Sequence, residues 1–261
     1  MNLDALADPL FRLPFLTGLL LAGVLPVLGM YLRLRHEWLA ALAYAQMASA
    51  GALLAALWEA PLMAGGISLA LLAAGAKSGL RHAGDSGYAM MMLAGWGGAI
   101  LLVANLPAAE QIGHALFDGQ LYFTSVEQSL AVAAYGAGVA VLLPWLSRPL
   151  LLAHYFPDFL SARGGAPERY YLGFDLLVAA GLALATTTVG VMAAFALVFL
   201  PPLAAYRWAG SWRRGLGWAA ALGMLCHALA FLVALIADQP YGPVLALMAV
   251  VVAAPAVARR R

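Results

Sequence analysis

Charged residues and cysteine are both scarce in this sequence. Only 10% of the 261 residues are charged, while 64% are hydrophobic and the mean hydropathy is +0.89. Soluble domains carry about 25% charged residues, so the deficit excludes an ordinary soluble domain. It also excludes a disordered chain and a nucleic-acid-binding module, which need polar or basic surface. A single cysteine, Cys226, excludes an internal disulfide and a structural zinc site built on paired cysteines.

Long apolar runs recur along the whole chain and predict a polytopic membrane protein. A hydrocarbon core about 30 Å thick takes roughly 20 apolar residues per helix. Charged or turn-rich breaks separate nine predicted spans, at 13–32, 38–57, 61–76, 88–106, 129–146, 172–188, 190–206, 216–236 and 243–258. The run 172–206 is compatible with one kinked span or with two short ones, and basic flanks at both ends favour two. We expect an all-α, single-domain bundle of about eight or nine transmembrane helices over residues 1–261, with residues 1–12 as an interfacial segment.

Basic residues are distributed unevenly among the predicted loops. When the nine spans alternate in direction, every Lys and Arg except Arg12 falls on one side of the membrane. The positive-inside rule makes that side cytoplasmic, and we therefore expect a multi-pass protein with a cytoplasmic C-terminus. The opposite side is acidic, which would attract cations or a basic docking surface.

Signatures of catalysis are absent from the sequence. The nearest approach to a phosphate-binding loop, at 75–78, lacks the spaced glycines that a Walker loop needs, and neither HExxH nor GxSxG occurs. The predicted spans also place no carboxylate at the bilayer midplane, which argues against an ion-coupled carrier. The sequence therefore favours a transport protein that is not itself an enzyme and whose energy comes from a partner.

One helix carries a resemblance to a known family. Residues 190–207, GVMAAFALVFLPPLAAYR, resemble the helix VG-x-L-L-(x)-A-L-L-x-x-P-A-A-x-A of ZnuB-like permeases, the membrane subunits of bacterial ABC importers for zinc, manganese and iron. GMYLRLR at 29–35, LFDGQL at 116–121 and DQPYGP at 238–243 resemble further family stretches in the same order. The resemblance covers essentially the whole chain.

That resemblance implies the partners of a bacterial inner-membrane importer. A second permease copy would complete a homodimer in the lipid bilayer, two cytoplasmic ATPase subunits would bind ATP and Mg²⁺, and an extracytoplasmic solute-binding protein would deliver the metal cargo. It implies no cofactor on this chain and no nucleic-acid partner.

The resemblance also implies an ATPase-coupling segment within the large cytoplasmic loop, 147–171. The stretch HYFPDFLSARG at 154–164 is similar to the family pattern P-(D/E)-x-A-x-x-x-G, which ends at Gly164. A short helix opened by Pro157 and Asp158, with Phe156 and Phe159 as anchors, would seat in a groove on an ATPase subunit. An amphipathic loop helix resting on lipid headgroups explains the same pattern.

The family's metal ligands are replaced in this chain. Members that carry bare metal have D-x-x-x-H early in the second span, where this sequence has Ala40 and Tyr44. Neither side chain supplies the carboxylate and imidazole that suit Zn²⁺ or Mn²⁺. The implied substrate pathway comprises residues of the second span, the methionine run that replaces a fourth-span histidine, and the one imidazole deep in a span: Ala40, Tyr44, Gln46, Met47, Met92 and His227.

A replacement metal site is conceivable in the loop before the fifth span. Glu110, His114 and Asp118 follow one another at four-residue spacing, which aligns them on one face of a helix. Such a face could hold or relay a divalent cation, or it could be the wet side of an interfacial helix.

The sequence leaves two classes of function open. The first is the permease of an ATP-driven importer for a divalent metal, zinc before manganese or iron, with a chelate as cargo if the lost ligands are not replaced. The second is a scaffold or sensor that keeps the permease fold without transporting.

Overall fold

The described residues of the computed structural model, 9–77, 84–156 and 167–258, form ten α-helices and no strand. In chain order the helices are α1 (Pro9–Leu34), α2 (Trp38–Leu57), α3 (Leu62–Lys77), α4 (Gly84–Asn105), α5 (Pro107–Asp118), α6 (Val126–Tyr155), α7 (Pro167–Val189), α8 (Val191–Trp208), α9 (Trp212–Ala237) and α10 (Tyr241–Ala258). A 3₁₀ turn at Leu121–Phe123 connects α5 to α6. The predicted all-α class is confirmed.

Seven of these helices are long and apolar enough to cross a membrane, namely α1, α2, α4, α6, α7, α8 and α9. The other two predicted spans, 61–76 and 243–258, correspond to α3 and α10, which are apolar but shorter. The remaining helix, α5, lies in the predicted extracytoplasmic loop. Because α1 begins at Pro9 and runs through Arg12, the end of the predicted interfacial segment is continuous with the first span.

The run 172–206 forms two helices. α7 ends at Val189 and α8 begins at Val191, so Gly190 alone separates them. Gly190 has φ +90°, and an added Cβ there would lie 2.8 Å from the backbone nitrogen of Gly119, whose own φ is +86°. The two glycines therefore let the end of α5 pack directly on the turn between α7 and α8.

Close backbone approach also joins α2 to its neighbours. A Cβ added to Gly51 of α2 would collide with the carbonyl oxygen of Gly65 on α3, and the reverse substitution would collide with Gly51. Small residues of this kind allow close van der Waals packing, which holds helices together in lipid, where no hydrophobic driving force acts between them. α2 and α7 consequently form the most buried part of the bundle, with α2 packed against α3, α4 and α7.

The glycines of α4 and α6 differ in their surroundings. Gly95 of α4 packs against the backbone of Gln46 on α2. Gly97, Gly98 and Gly138 meet no atom within 4 Å among the described residues. An added side chain at these three positions would therefore meet open space within this subunit.

Candidate functional site

The position of the lost metal ligand lies in the interior of the bundle. Tyr44 on α2 and Ala40 one turn before it are both fully buried. The Tyr44 ring packs edge-on against Tyr88 of α4, with centroids 6.3 Å apart and planes at 84°. Tyr88, the first residue of the predicted fourth span, thus packs against Tyr44 but was not among the predicted pathway residues. Its aromatic ring at a span end was the signal that could have identified it.

The hydroxyl groups of this tyrosine pair are unusual for a membrane interior. Both are buried, and within the described chain neither makes a hydrogen bond of good geometry. An unsatisfied buried hydroxyl costs about 1–3 kcal/mol, so natural proteins rarely keep one without a reason. The pair therefore marks the centre of the candidate site.

Other unpartnered polar atoms lie on the same helices. Gln46 Oε1 and Ser49 Oγ on α2, and Thr186 Oγ1 on α7, are buried without a hydrogen-bond partner among the described residues. α2 packs directly against both α4 and α7. The three helices thus present neutral oxygen atoms, which can hydrogen-bond a polar cargo but form no strong first shell for a transition metal.

Four charged side chains form a network at one end of these helices. Arg35 and Glu37 lie in the turn between α1 and α2, Lys77 ends α3, and Asp175 lies in α7. Arg35 Nη1 is 2.8 Å from Asp175 Oδ1, and Arg35 Nη2 is 2.5 Å from Glu37 Oε2. Lys77 Nζ bridges Asp175 Oδ2 at 2.6 Å and Glu37 Oε2 at 3.0 Å. We call these four residues the charge network.

The charge network is internally neutral and extends from the interior to the surface. The exposed fraction of the side chain rises from 3% for Asp175 and 7% for Arg35 to 18% for Lys77 and 24% for Glu37. Burial lowers the pKa of the Arg35 guanidinium, but the carboxylates of Asp175 and Glu37 outweigh it and the net pKa is raised. Arg35 therefore stays charged, and its burial is offset by its contacts with the two carboxylates.

Asp175 is a buried carboxylate within one of the predicted spans. It lies inside the predicted span 172–188 and is 2% exposed. Eight residues separate it from Pro167, where α7 begins, which is about 12 Å along the helix axis. Asp175 therefore lies toward one end of the bundle, and a charged residue within an apolar run was the signal for it.

The proposed metal set on α5 does not assemble. Glu110, His114 and Asp118 lie on a helix as predicted, and all three are exposed. Eight residues of helix separate the first from the last by about 12 Å, whereas metal ligands lie about 2 Å from the ion. Among the described residues no group of three His, Cys, Asp or Glu side chains could hold a metal ion, and the metal interpretation of this face stays a prediction.

His227 has both ring nitrogens engaged. Nδ1 accepts a hydrogen bond from the Tyr241 hydroxyl at 2.6 Å, and Nε2 donates to the Phe15 carbonyl oxygen at 3.0 Å. The ring is fully buried and ties α9 to α1 and α10. This is the arrangement of a structural histidine, which leaves neither nitrogen available to the cargo.

The two pathway methionines are both partly buried against the main apolar core. Met47 also lines an apolar cleft of about 500 Å³ between α2, α3 and α4, together with Leu69 and Gly95. Both thioethers therefore belong to apolar packing surface.

The predicted coupling segment is described only at its start. α6 continues to Tyr155, well into the predicted loop, and Phe156 follows it with 62% of its surface exposed. Pro157, Asp158, Phe159 and Gly164 lie outside the described residues.

Comparisons with known proteins point in one direction. The family model of the ABC 3 transport family matches residues 8–260. The fold is similar to a chain of PsaBC from Streptococcus pneumoniae in complex with Fab, at 18% identity over 97% of this chain and 93% of that chain, with a TM-score of 0.85. It is also similar to a protein described as a metal-chelate type ABC transporter in an inward-facing conformation, at 14% identity over 93% and 82%, with a TM-score of 0.71. No curated protein matches the chain by sequence.

Proposed function

The chain belongs to the ABC 3 transport family, and from that premise we propose that it is the permease subunit of an ATP-driven importer for a divalent metal ion. Zinc is the first choice of cargo, followed by manganese and iron. The observation that carries this proposal is the family match across almost the entire chain, combined with buried, unpartnered oxygen atoms on the central helices α2, α4 and α7.

The chemistry of the site indicates how the metal crosses. Tyr44 and Tyr88 offer phenol oxygens in place of a carboxylate and an imidazole, and such neutral oxygens bind Zn²⁺ weakly. The cargo would therefore pass this level with its own ligands in place. Unpartnered atoms such as Gln46 Oε1 and Ser49 Oγ favour a chelated metal as the second candidate, because they can hydrogen-bond polar groups of a chelator.

The assembly we propose follows the family. Two copies of the chain form the membrane unit, two cytoplasmic ATPase subunits hydrolyse ATP, and an extracytoplasmic solute-binding protein delivers the metal. The exposed Phe156 at the end of α6 supports an ATPase contact there, because an exposed aromatic ring is a typical interface anchor. The protein would lie in the bacterial inner membrane with its C-terminus in the cytoplasm.

Uptake measurements test the cargo. The assembled complex, expressed in cells that lack other metal importers, should accumulate zinc added either as the free ion or as a chelate. Uptake of the free ion supports the first candidate, and uptake of the chelate alone supports the second. A complex that hydrolyses ATP and accumulates neither would contradict the proposal and favour a scaffold or sensor.

Cysteine labelling tests the orientation. Replacing Cys226 with serine removes the only native thiol, and single cysteines can then be placed at Pro240 or Gly165. An impermeant maleimide should reach residue 240 from outside and residue 165 only from the cytoplasm. The reverse pattern would overturn the assigned topology.

A further inference from the structure

The charge network lies at the end of the bundle where five helix termini meet. α1 and α3 end there, and α2, α4 and α7 begin there. The distribution of basic residues makes this the cytoplasmic end. Asp175 and Arg35 are almost fully buried in it, and Lys77 and Glu37 reach toward the surface.

Direct contacts connect the network to the tyrosine pair. Lys77 Nζ lies 5.3 Å from the centroid of the Tyr88 ring, and the Tyr88 ring packs edge-on against Tyr44. The order Asp175, Lys77, Tyr88, Tyr44 is thus a continuous series of contacts from the charge network to the position of the lost ligand. Tyr44 has no exposed surface in this arrangement, so the interior of the subunit is closed toward the cytoplasm at this level.

We propose that the charge network is the cytoplasmic gate of the transport route, with the Lys77 ammonium as its moving part. Lys77 is the last residue of α3, and its side chain is partly exposed. Its ammonium group ties α3 to both Glu37 and Asp175. Asp175 keeps the Arg35 guanidinium as a partner when Lys77 leaves, with Nη1 to Oδ1 at 2.8 Å. The most buried carboxylate is therefore never left uncompensated, which makes opening at Lys77 much less costly than opening at Asp175.

The gate explains why charge is concentrated at this level of an otherwise apolar bundle. A purely structural role would be served as well by apolar packing, because a buried ion pair often adds little net stability over a hydrophobic replacement. Ion pairs instead give two well-separated states, paired and solvated, and a helix end that can reach water allows the switch between them. This inference rests on the proposed function for its transport role, but the closed state itself is a property of the fold.

Accessibility of Tyr44 tests the gate without requiring transport. Tyr44→Cys is introduced into the complex carrying Cys226→Ser, and an impermeant thiol reagent is added to the cytoplasmic side of inside-out vesicles. We expect slow labelling in this parent and labelling faster by about tenfold or more when Lys77→Met is added, because one closed-state tie is removed. Lys77→Arg, which keeps the positive charge, should restore slow labelling. Arg213→Gln, which removes an exposed basic residue on the same predicted side, should leave it slow.

Two results would overturn the gate. Equal labelling rates in the parent and in Lys77→Met, with both complexes intact on gel filtration, would make the network structural only. If Lys77→Met made Tyr44→Cys label faster only from the extracytoplasmic side, the network would not be a cytoplasmic gate.

Transport provides a second readout in complexes that keep Tyr44. We expect Lys77→Met to hydrolyse ATP while metal uptake falls by about tenfold, and Lys77→Arg to recover most of that uptake. If the parent complex takes up no metal but Lys77→Met still labels faster, the cargo proposal fails and the gate stands. Normal uptake by Lys77→Met would count against the gate.

Discussion

From the buried hydroxyl of Tyr44 we predict that a tyrosine-to-phenylalanine substitution will not destabilise the protein. Tyr44→Phe removes a buried oxygen that makes no hydrogen bond of good geometry within the described residues, and it leaves the ring packing against Tyr88 unchanged. Leaving such a group unsatisfied costs about 1–3 kcal/mol. Part of that cost is present in the unfolded chain in lipid as well, so we expect Tyr44→Phe to be neutral or to stabilise by up to about 1 kcal/mol.

The chain offers a matched control in Tyr135 of α6. Its hydroxyl donates to the Leu177 carbonyl oxygen on α7 at 2.8 Å. Interhelical hydrogen bonds in membrane proteins contribute about 0.6 kcal/mol on average, so Tyr135→Phe should destabilise by about that amount. The two substitutions remove the same hydroxyl group, and they differ in whether that group makes a hydrogen bond. Tyr135→Phe should therefore lower the unfolding temperature, and Tyr44→Phe should raise it or leave it unchanged.

Thermal unfolding of the detergent-solubilised chain, followed by tryptophan fluorescence at one heating rate, provides the comparison. Metal uptake by the two variants at equal expression separates stability from function. A loss of stability in Tyr44→Phe as large as in Tyr135→Phe would refute the reasoning, because it would mean that the Tyr44 hydroxyl has a partner in the folded protein. Loss of uptake in Tyr44→Phe with unchanged stability would mean that the phenol oxygen itself contacts the cargo.

Two further predictions concern packing and the histidines. His227→Ala should lower the free energy of unfolding by about 3 kcal/mol, because it removes a fully buried ring and two hydrogen bonds. His114→Ala, on the exposed face of α5, should change neither the stability nor the metal uptake. A loss of uptake in His114→Ala at normal expression would restore the metal interpretation of that face. Gly51→Val should prevent stable folding, because the valine side chain would collide with the Gly65 carbonyl oxygen. Gly97→Ala should be tolerated, because the added methyl group meets open space. Equal yields of the two folded variants in detergent extracts would contradict the close α2–α3 contact.

The architecture was predictable because its signal is local. Apolar runs indicated the positions of nine helices, seven of which have the length that a bilayer requires, and a charged or turn-forming break separated each pair. The boundary at Gly190 was accessible for a similar reason, since the basic flanks on either side of 172–206 favoured an even number of crossings. The loop helix α5 was also predictable in its existence, because Pro107 is a favourable first residue for a helix.

The function of a helical face was harder to predict than its existence. The three candidate ligands on α5 do not converge, because helical alignment brings side chains to one side without bringing them to one point. Four-residue spacing places neighbours about 6 Å apart along the axis, so His114 could share an ion with one neighbour but not with both. A set of three ligands on one helix therefore needs a second element to close around the ion, and none of the described residues supplies it.

The charge network was inaccessible to sequence reasoning for a different physical reason. Asp175 meets Arg35 across 140 positions and Lys77 across 98, so no spacing rule connects the three. Taken one at a time, Arg35 and Lys77 are ordinary basic residues at span ends, and the positive-inside rule already explains them. Only Asp175 lacked such an explanation, since an unpaired carboxylate inside a span is too costly to persist. Its presence in an apolar run called for a cationic partner from another helix. The sequence offers thirteen basic residues on the same predicted side, and nothing in their spacing selects Arg35 and Lys77. The pairing therefore depends on contacts distant in sequence, which only the folded chain shows.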